Sequence, residues 1–245
     1  MWALSFRVLR FAPLLFIGVS GLLVGCGHAP VKHVAEPSAL MHQVCAPGTS
    51  VRSVKGAVWL KASSKEASGQ FPALVDAPSP DQLKMEVTNL VGGTEAVITV
   101  QGTKYRVEVP HRREKSERGE QSWGGIPLRW ANALFLGRIP CPDSANISVA
   151  TARMDEKGEL VVEIPEALGR FQEKYIFRMR QVEGLAWPEA LHWERKGIAG
   201  APPVVVDFKF EDPESKTLSP KKWEAKSSQG EVKVRWRDRQ IELMR

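Results

Sequence analysis

From Val51 onward the chain alternates apolar and polar residues with a period of two, as strands with one buried face do. In the stretch 51–62, Val54, Val58, Leu60 and Ala62 share one face, while Lys55, Ala57, Trp59 and Lys61 share the other. Leu83, Met85 and Val87 alternate with Lys84, Glu86 and Thr88, and Tyr105, Val107 and Val109 with Lys104, Arg106 and Glu108. The pattern returns at Tyr175, Phe177 and Met179, and again at Val232, Val234 and Trp236. It predicts a mainly β (α+β) fold, an antiparallel sheet of roughly eleven strands with one apolar and one wet face. Turn signals at Gly92-Gly93, Gly102, Glu156-Lys157-Gly158, Gly197 and Gln229-Gly230 make most connections short, so neighbours pair as hairpins. The charged, unpatterned stretch His111–Gln121 reads as a surface loop.

Two stretches break the strand pattern. Ser38 is placed to cap a short helix that runs to about Val44 and stops at Pro47-Gly48. Between Trp123 and Gly137, Pro127 stands at a helix start, and Leu128, Trp130, Ala131, Leu134 and Phe135 recur at helical spacing. One amphipathic helix beside a one-faced sheet has a natural resting place across the apolar, concave side. A weak echo links Trp187–Glu194 with Leu218–Glu224, both read as strands that begin after a proline.

The first residues belong to a different pattern. Arg7 and Arg10 precede an apolar run from Phe11 to Val24, too short to span a bilayer comfortably. It ends in Leu23-Val24-Gly25-Cys26, a lipobox. This predicts a signal peptide over 1–25, lipid attachment at Cys26, a proline-containing tether over 26–37 and a single domain over 38–245. Gly27 rather than aspartate follows the cysteine, which points to the outer membrane, with the protein facing the periplasm.

Residues 26–245 carry a formal charge of +4, since the leader removes two arginines from a total of +6. That mild excess suits the neighbourhood of anionic headgroups and does not imply nucleic-acid binding. Cys45 and Cys141 remain after lipidation, and in an oxidising compartment two spare thiols predict a disulfide. It would close a loop of about 95 residues, for which chain entropy allows on the order of 4 kcal/mol.

Catalytic and metal chemistry is not proposed by the sequence. None of the five histidines (His28, His33, His42, His111 and His192) has metal-ligand spacing with another ligand, and nucleophile elbow, phosphate loop and dinucleotide fingerprint are all lacking. The expectation is a non-enzyme that needs no cofactor. Seven tryptophans beyond Trp2 fit either an ordinary packed core or the walls of a broad apolar cavity. The inward positions that would line it include Leu60, Met85, Val87, Tyr175, Phe177 and Trp236.

Thr88-Asn89-Leu90-Val91-Gly92-Gly93-Thr94-Glu95 resembles a hairpin loop of the LolA/LolB lipoprotein-sorting superfamily, in its LolB branch. Ile126-Pro127-Leu128, with Leu136-Gly137 after it, resembles the Pro-Leu helix motif of the same branch. The likeness covers residues 40–140 by motif and the remainder by strand pattern. It implies an eleven-stranded antiparallel half-barrel with helices over its concave face, and a membrane-directed loop at Leu90 and Val91. It further implies exchange of an acylated lipoprotein or lipid between a periplasmic LolA-like carrier and membrane lipid. The chain departs from the family pattern in having Leu90-Val91-Gly92 where the loop has Pro-Leu-Gly, and in the Cys45–Cys141 pair. Two readings stand: a lipid-handling protein with an open cavity, or a non-catalytic structural or interaction lipoprotein whose cavity is filled by its own side chains.

Overall fold

A computed structural model describes residues 36–64, 68–166, 171–197 and 202–244; the signal peptide, Cys26 and nearly all of the tether lie outside them. The alternation folds into one antiparallel sheet of thirteen strands. Its first half holds β1 (Val51–Ser64), β2 (Ser68–Ser79), β3 (Gln82–Thr88), β4 (Thr94–Gln101), β5 (Lys104–Glu108) and β6 (Glu117–Glu120). A small hairpin of β7 (Ser122–Trp123) and β8 (Ile126–Pro127) stands apart from it. The second half holds β9 (Thr151–Met154), β10 (Leu160–Ile164), β11 (Glu173–Val182), β12 (Leu185–Arg195), β13 (Val204–Pro213), β14 (Pro220–Ser227) and β15 (Gly230–Leu243). Two meanders meet where the long β1 pairs with β15, in the register Val54–Ile241 through Ser64–Gly230. β6 and β9 are the outer strands, so the sheet is open rather than a closed barrel.

The strand count exceeds the eleven expected. β6 lies in the stretch read as a loop, because Glu117–Glu120 has no apolar face to betray it. β7 and β8 are two residues each, below what periodicity registers. The Trp187–Glu194 stretch does not begin a strand after its proline: Pro188 lies inside β12, at a register shift opposite Met179. The pairing of β12 with β13 starts only at Ala190, so the missing N–H costs no ladder bond on that side.

Among the described residues three α-helical pieces accompany the sheet: α1 (Pro37–Cys45), α2 (Leu128–Phe135) and the single turn α3 (Ser144–Ile147); a 3-10 turn at Arg113–Lys115 lies between β5 and β6. α1 starts one residue before the expected cap. Pro37 fits the first turn, whose N–H groups have no helical partner anyway, while the Ser38 hydroxyl donates to Glu36 at 2.7 Å. α2 lies on the apolar face of the sheet. Trp130 meets Trp193 of β12 edge to face at 4.4 Å and Phe208 of β13 at 5.8 Å, and Phe135 meets Trp223 of β14 at 5.3 Å. Cys45 and Cys141 are joined by a disulfide with Cα atoms 6.0 Å apart, which ties α1 to the segment after α2. The core and this bridge belong to one compact unit, His33–Arg245, which thus has what an independently folding domain needs.

Candidate functional site

The inner face is not filled evenly. Over β11, β12 and β13 it is packed solid: Tyr175, Phe177, Trp193 and Phe208 are almost wholly buried, with Trp130 of α2 wedged among them. Tyr175 donates its hydroxyl to Glu173 at 2.5 Å, and the Trp193 indole N–H donates to the same carboxylate at 3.4 Å. Arg129 at the start of α2 reaches that carboxylate at 3.3 Å. Burial, and then the charge of Glu173, hold the Tyr175 phenol well above its ordinary range. Tyr175 is thus a neutral donor to a buried carboxylate that α2 caps with a cation.

The other half of the inner face is hollow. Between β1, β2, β3, the start of β15 and the far side of α2 lies a cavity of about 380 Å³. Leu60, Met85, Phe71, Ala131, Leu134, Phe135 and Trp223 form its apolar walls, and Trp123 and Ile126 of the small hairpin close one side. Ser63, Ser64, Ser68, Gln229 and Glu231 ring its outer end, where most are exposed, and make a polar mouth on an apolar interior. Such a combination has the shape and polarity to accommodate a molecule with an apolar body and a polar end.

The hairpin beside the mouth owes its shape to two glycines. Gly124 and Gly125 both take positive φ, 58° and 78°, and a Cβ on Gly125 would lie 2.9 Å from the Ser227 hydroxyl oxygen. Ser227 in turn donates to the Gly124 carbonyl at 2.6 Å, and the Trp123 indole donates to Glu117 at 3.1 Å. α2 itself is clamped. Arg129 holds its start to Glu173, and beyond its end Arg138 donates to the Val51 carbonyl at 2.8 Å and Cys141 is bridged to Cys45.

Of the six inward positions expected to line a cavity, Leu60 and Met85 do so. Val87, Tyr175, Phe177 and Trp236 are buried and do not line it; Tyr175 and Phe177 lie in the packed half. Of the lid-helix residues, Leu134 and Phe135 face the cavity and Trp130 fills the closed half. Leu128 is buried, and Pro127 is the residue just before the first helical turn. Ala131 of the helix's apolar stripe lines it too, and Phe71 and Trp223 are wall residues that strand parity did not single out. Their covering by α2 and the small hairpin is set by tertiary packing.

Leu90 and Val91 form the tip of the β3–β4 hairpin and are 82% and 93% exposed. Asn89 holds that tip in shape: its side-chain oxygen accepts from the Val91 and Gly93 backbone N–H groups at 3.1 and 2.8 Å. Its amide donates to Glu95 at 3.0 Å. The tip therefore projects because its own backbone is tied off, not because it is loose. Among the described residues no three His, Cys, Asp or Glu side chains are grouped so as to hold a metal ion.

The chain is thus an open antiparallel sheet with a helix laid along its apolar face and an apolar cavity beside that helix. Two solved structures resemble it in fold over most of both chains. One is a LolA superfamily protein from Nitrosomonas europaea, 12% identical, covering 86% of this chain and 96% of that one with a TM-score of 0.51. The other, from Vibrio parahaemolyticus, is described as an outer membrane lipoprotein-sorting protein domain; it is 8% identical, covers 84% of this chain and 92% of that one, and has a TM-score of 0.50. At these identities the likeness is one of fold alone. No model of a known protein family matches the chain, and no curated protein matches it in sequence.

Proposed function

We propose that this protein is an outer-membrane lipoprotein, anchored through Cys26, that takes an acyl chain of a lipid or lipoprotein client into its cavity and delivers it to the membrane in the manner of LolB. The observation that carries this reading is the apolar cavity of about 380 Å³ with a polar mouth. A methylene fills about the 30 Å³ of a liquid water, so the space suits on the order of a dozen of them, the scale of one acyl chain. Each methylene withdrawn from water gains about 0.8 kcal/mol, whether in a bilayer or in a protein. A client handed over by a LolA-like carrier and passed to the bilayer moves between apolar surroundings, and no nucleotide is required.

The second reading, a structural lipoprotein filled by its own side chains, is favoured by the aromatic packing around Trp130. That packing covers only the β11–β13 side. The two readings separate on the contents of the cavity. The unit His33–Arg245, purified without detergent, should carry lipid detectable by mass spectrometry. Ala131→Trp, which fills the hollow from α2, should empty it while leaving the near-ultraviolet circular dichroism of a folded core. Lipid-free protein that also refuses a fluorescent fatty acid would decide for the structural reading.

A further inference from the structure

The edge of the sheet that bears the cavity mouth bears a cationic loop as well. Val87 pairs with Ala96, Val97 with Glu108, and Val107 with Glu117, so the β3–β4 tip and the β5–β6 connection leave the sheet at the same edge as adjacent projections. Ser63 pairs with Ser68 and Ser64 with Gly230, which puts the cavity mouth on that edge too. The β5–β6 connection contains His111, Arg112, Arg113 and Lys115, with Arg118 following in β6, and all are exposed. Two carboxylates interrupt the run, Glu114 and Glu117, and the second is engaged by the Trp123 indole. Near the apolar tip, Glu86 accepts from Thr94 and Glu95 from Asn89. Arg112, Arg113 and Lys115 form no ion pair among the described residues, whereas Arg106 and Lys55 on the outer face do.

We infer that this edge docks on an anionic bilayer, with Leu90 and Val91 entering the apolar layer while Arg112, Arg113 and Lys115 meet phosphate-bearing headgroups. The inference rests on the lipid-handling reading and adds a lipid preference to it. Two apolar side chains alone give weak, reversible attachment, and a polybasic patch is the usual second signal. Each cation near an anionic surface adds about fivefold to partitioning at low salt. An acidic protein surface would attract the same cations. It would leave unexplained a two-residue apolar projection with no apolar surround, which fits penetration better than a flat interface.

Flotation of the His33–Arg245 unit with phosphatidylcholine vesicles, with and without about a third of phosphatidylglycerol, tests this. The expected result is stronger binding to the anionic vesicles, lost as salt screens the charges over a shorter distance. Arg112→Gln with Arg113→Gln and Lys115→Gln should lower that binding on the order of 100-fold, towards the neutral-vesicle level. Uptake of a fluorescent fatty acid by the same variant should not change. Equal binding to both vesicle types, or a triple variant that binds anionic vesicles as well as the parent, would overturn the inference. Absence of fatty-acid uptake in the parent would instead remove the lipid-handling reading beneath it.

Discussion

Asn89 shows how much one side chain fixes. Three hydrogen bonds from a single amide turn Leu90 and Val91 outward and keep them there, so their exposure is built into the backbone. Leu90→Glu with Val91→Glu should therefore leave the thermal midpoint nearly unchanged, because exposed substitutions shift stability by only about 0.5 kcal/mol. Delivery of acylated clients to liposomes should fail, since carboxylates resist the apolar layer. Undiminished delivery by the folded double variant would exclude the tip from transfer. The apolar pair was visible in the sequence, and so were the two cysteines that pair. The role of Asn89 was not, because an asparagine before a glycine pair is a turn signal whatever its side chain holds. Nor could strand parity separate Leu60 and Met85, which border the hollow, from Tyr175 and Phe177, which do not. Parity tells which residues point inward, and what covers them depends on where α2 lies.

At the scale of elements, α2 was legible from its spacing and its proline, and the long strands from their alternation. β6 was hidden because an outer strand exposed on both faces needs no apolar side. Of the clamps on α2, the Cys45–Cys141 bridge was legible from two spare thiols, whereas the contacts of Arg129 with Glu173 and of Arg138 with the Val51 carbonyl were hidden because they join residues far apart in the chain. Held at both ends, α2 acts as a fixed wall of the cavity. Replacing both cysteines, Cys45→Ser with Cys141→Ser, should cost about 4 kcal/mol of stability by the loop-entropy account. Denaturant unfolding checks this: dithiothreitol should lower the parent to the level of the double variant and leave the variant unmoved. A parent insensitive to reductant would remove the bridge from the account of stability.

The whole molecule divides its labour along the sheet. One half is a solid aromatic core and the other a hollow, with α2 as the partition between them. Lipid bound in the hollow stabilises only the folded state, so at a concentration of 100 times its dissociation constant it should add about 2.7 kcal/mol. For a domain of this size that is a rise in thermal midpoint of roughly 5–10 °C, read by differential scanning fluorimetry with and without fatty acid. Ala131→Trp should abolish the rise.

The partition also bears on how such a protein changes over generations. Its robustness resides around Trp130, Tyr175 and Trp193, whereas small residues such as Ala62, Gly69 and Ala131 set the dimensions of the hollow. Trading a few small wall residues therefore resizes the hollow without eroding the foundation that keeps the chain folded.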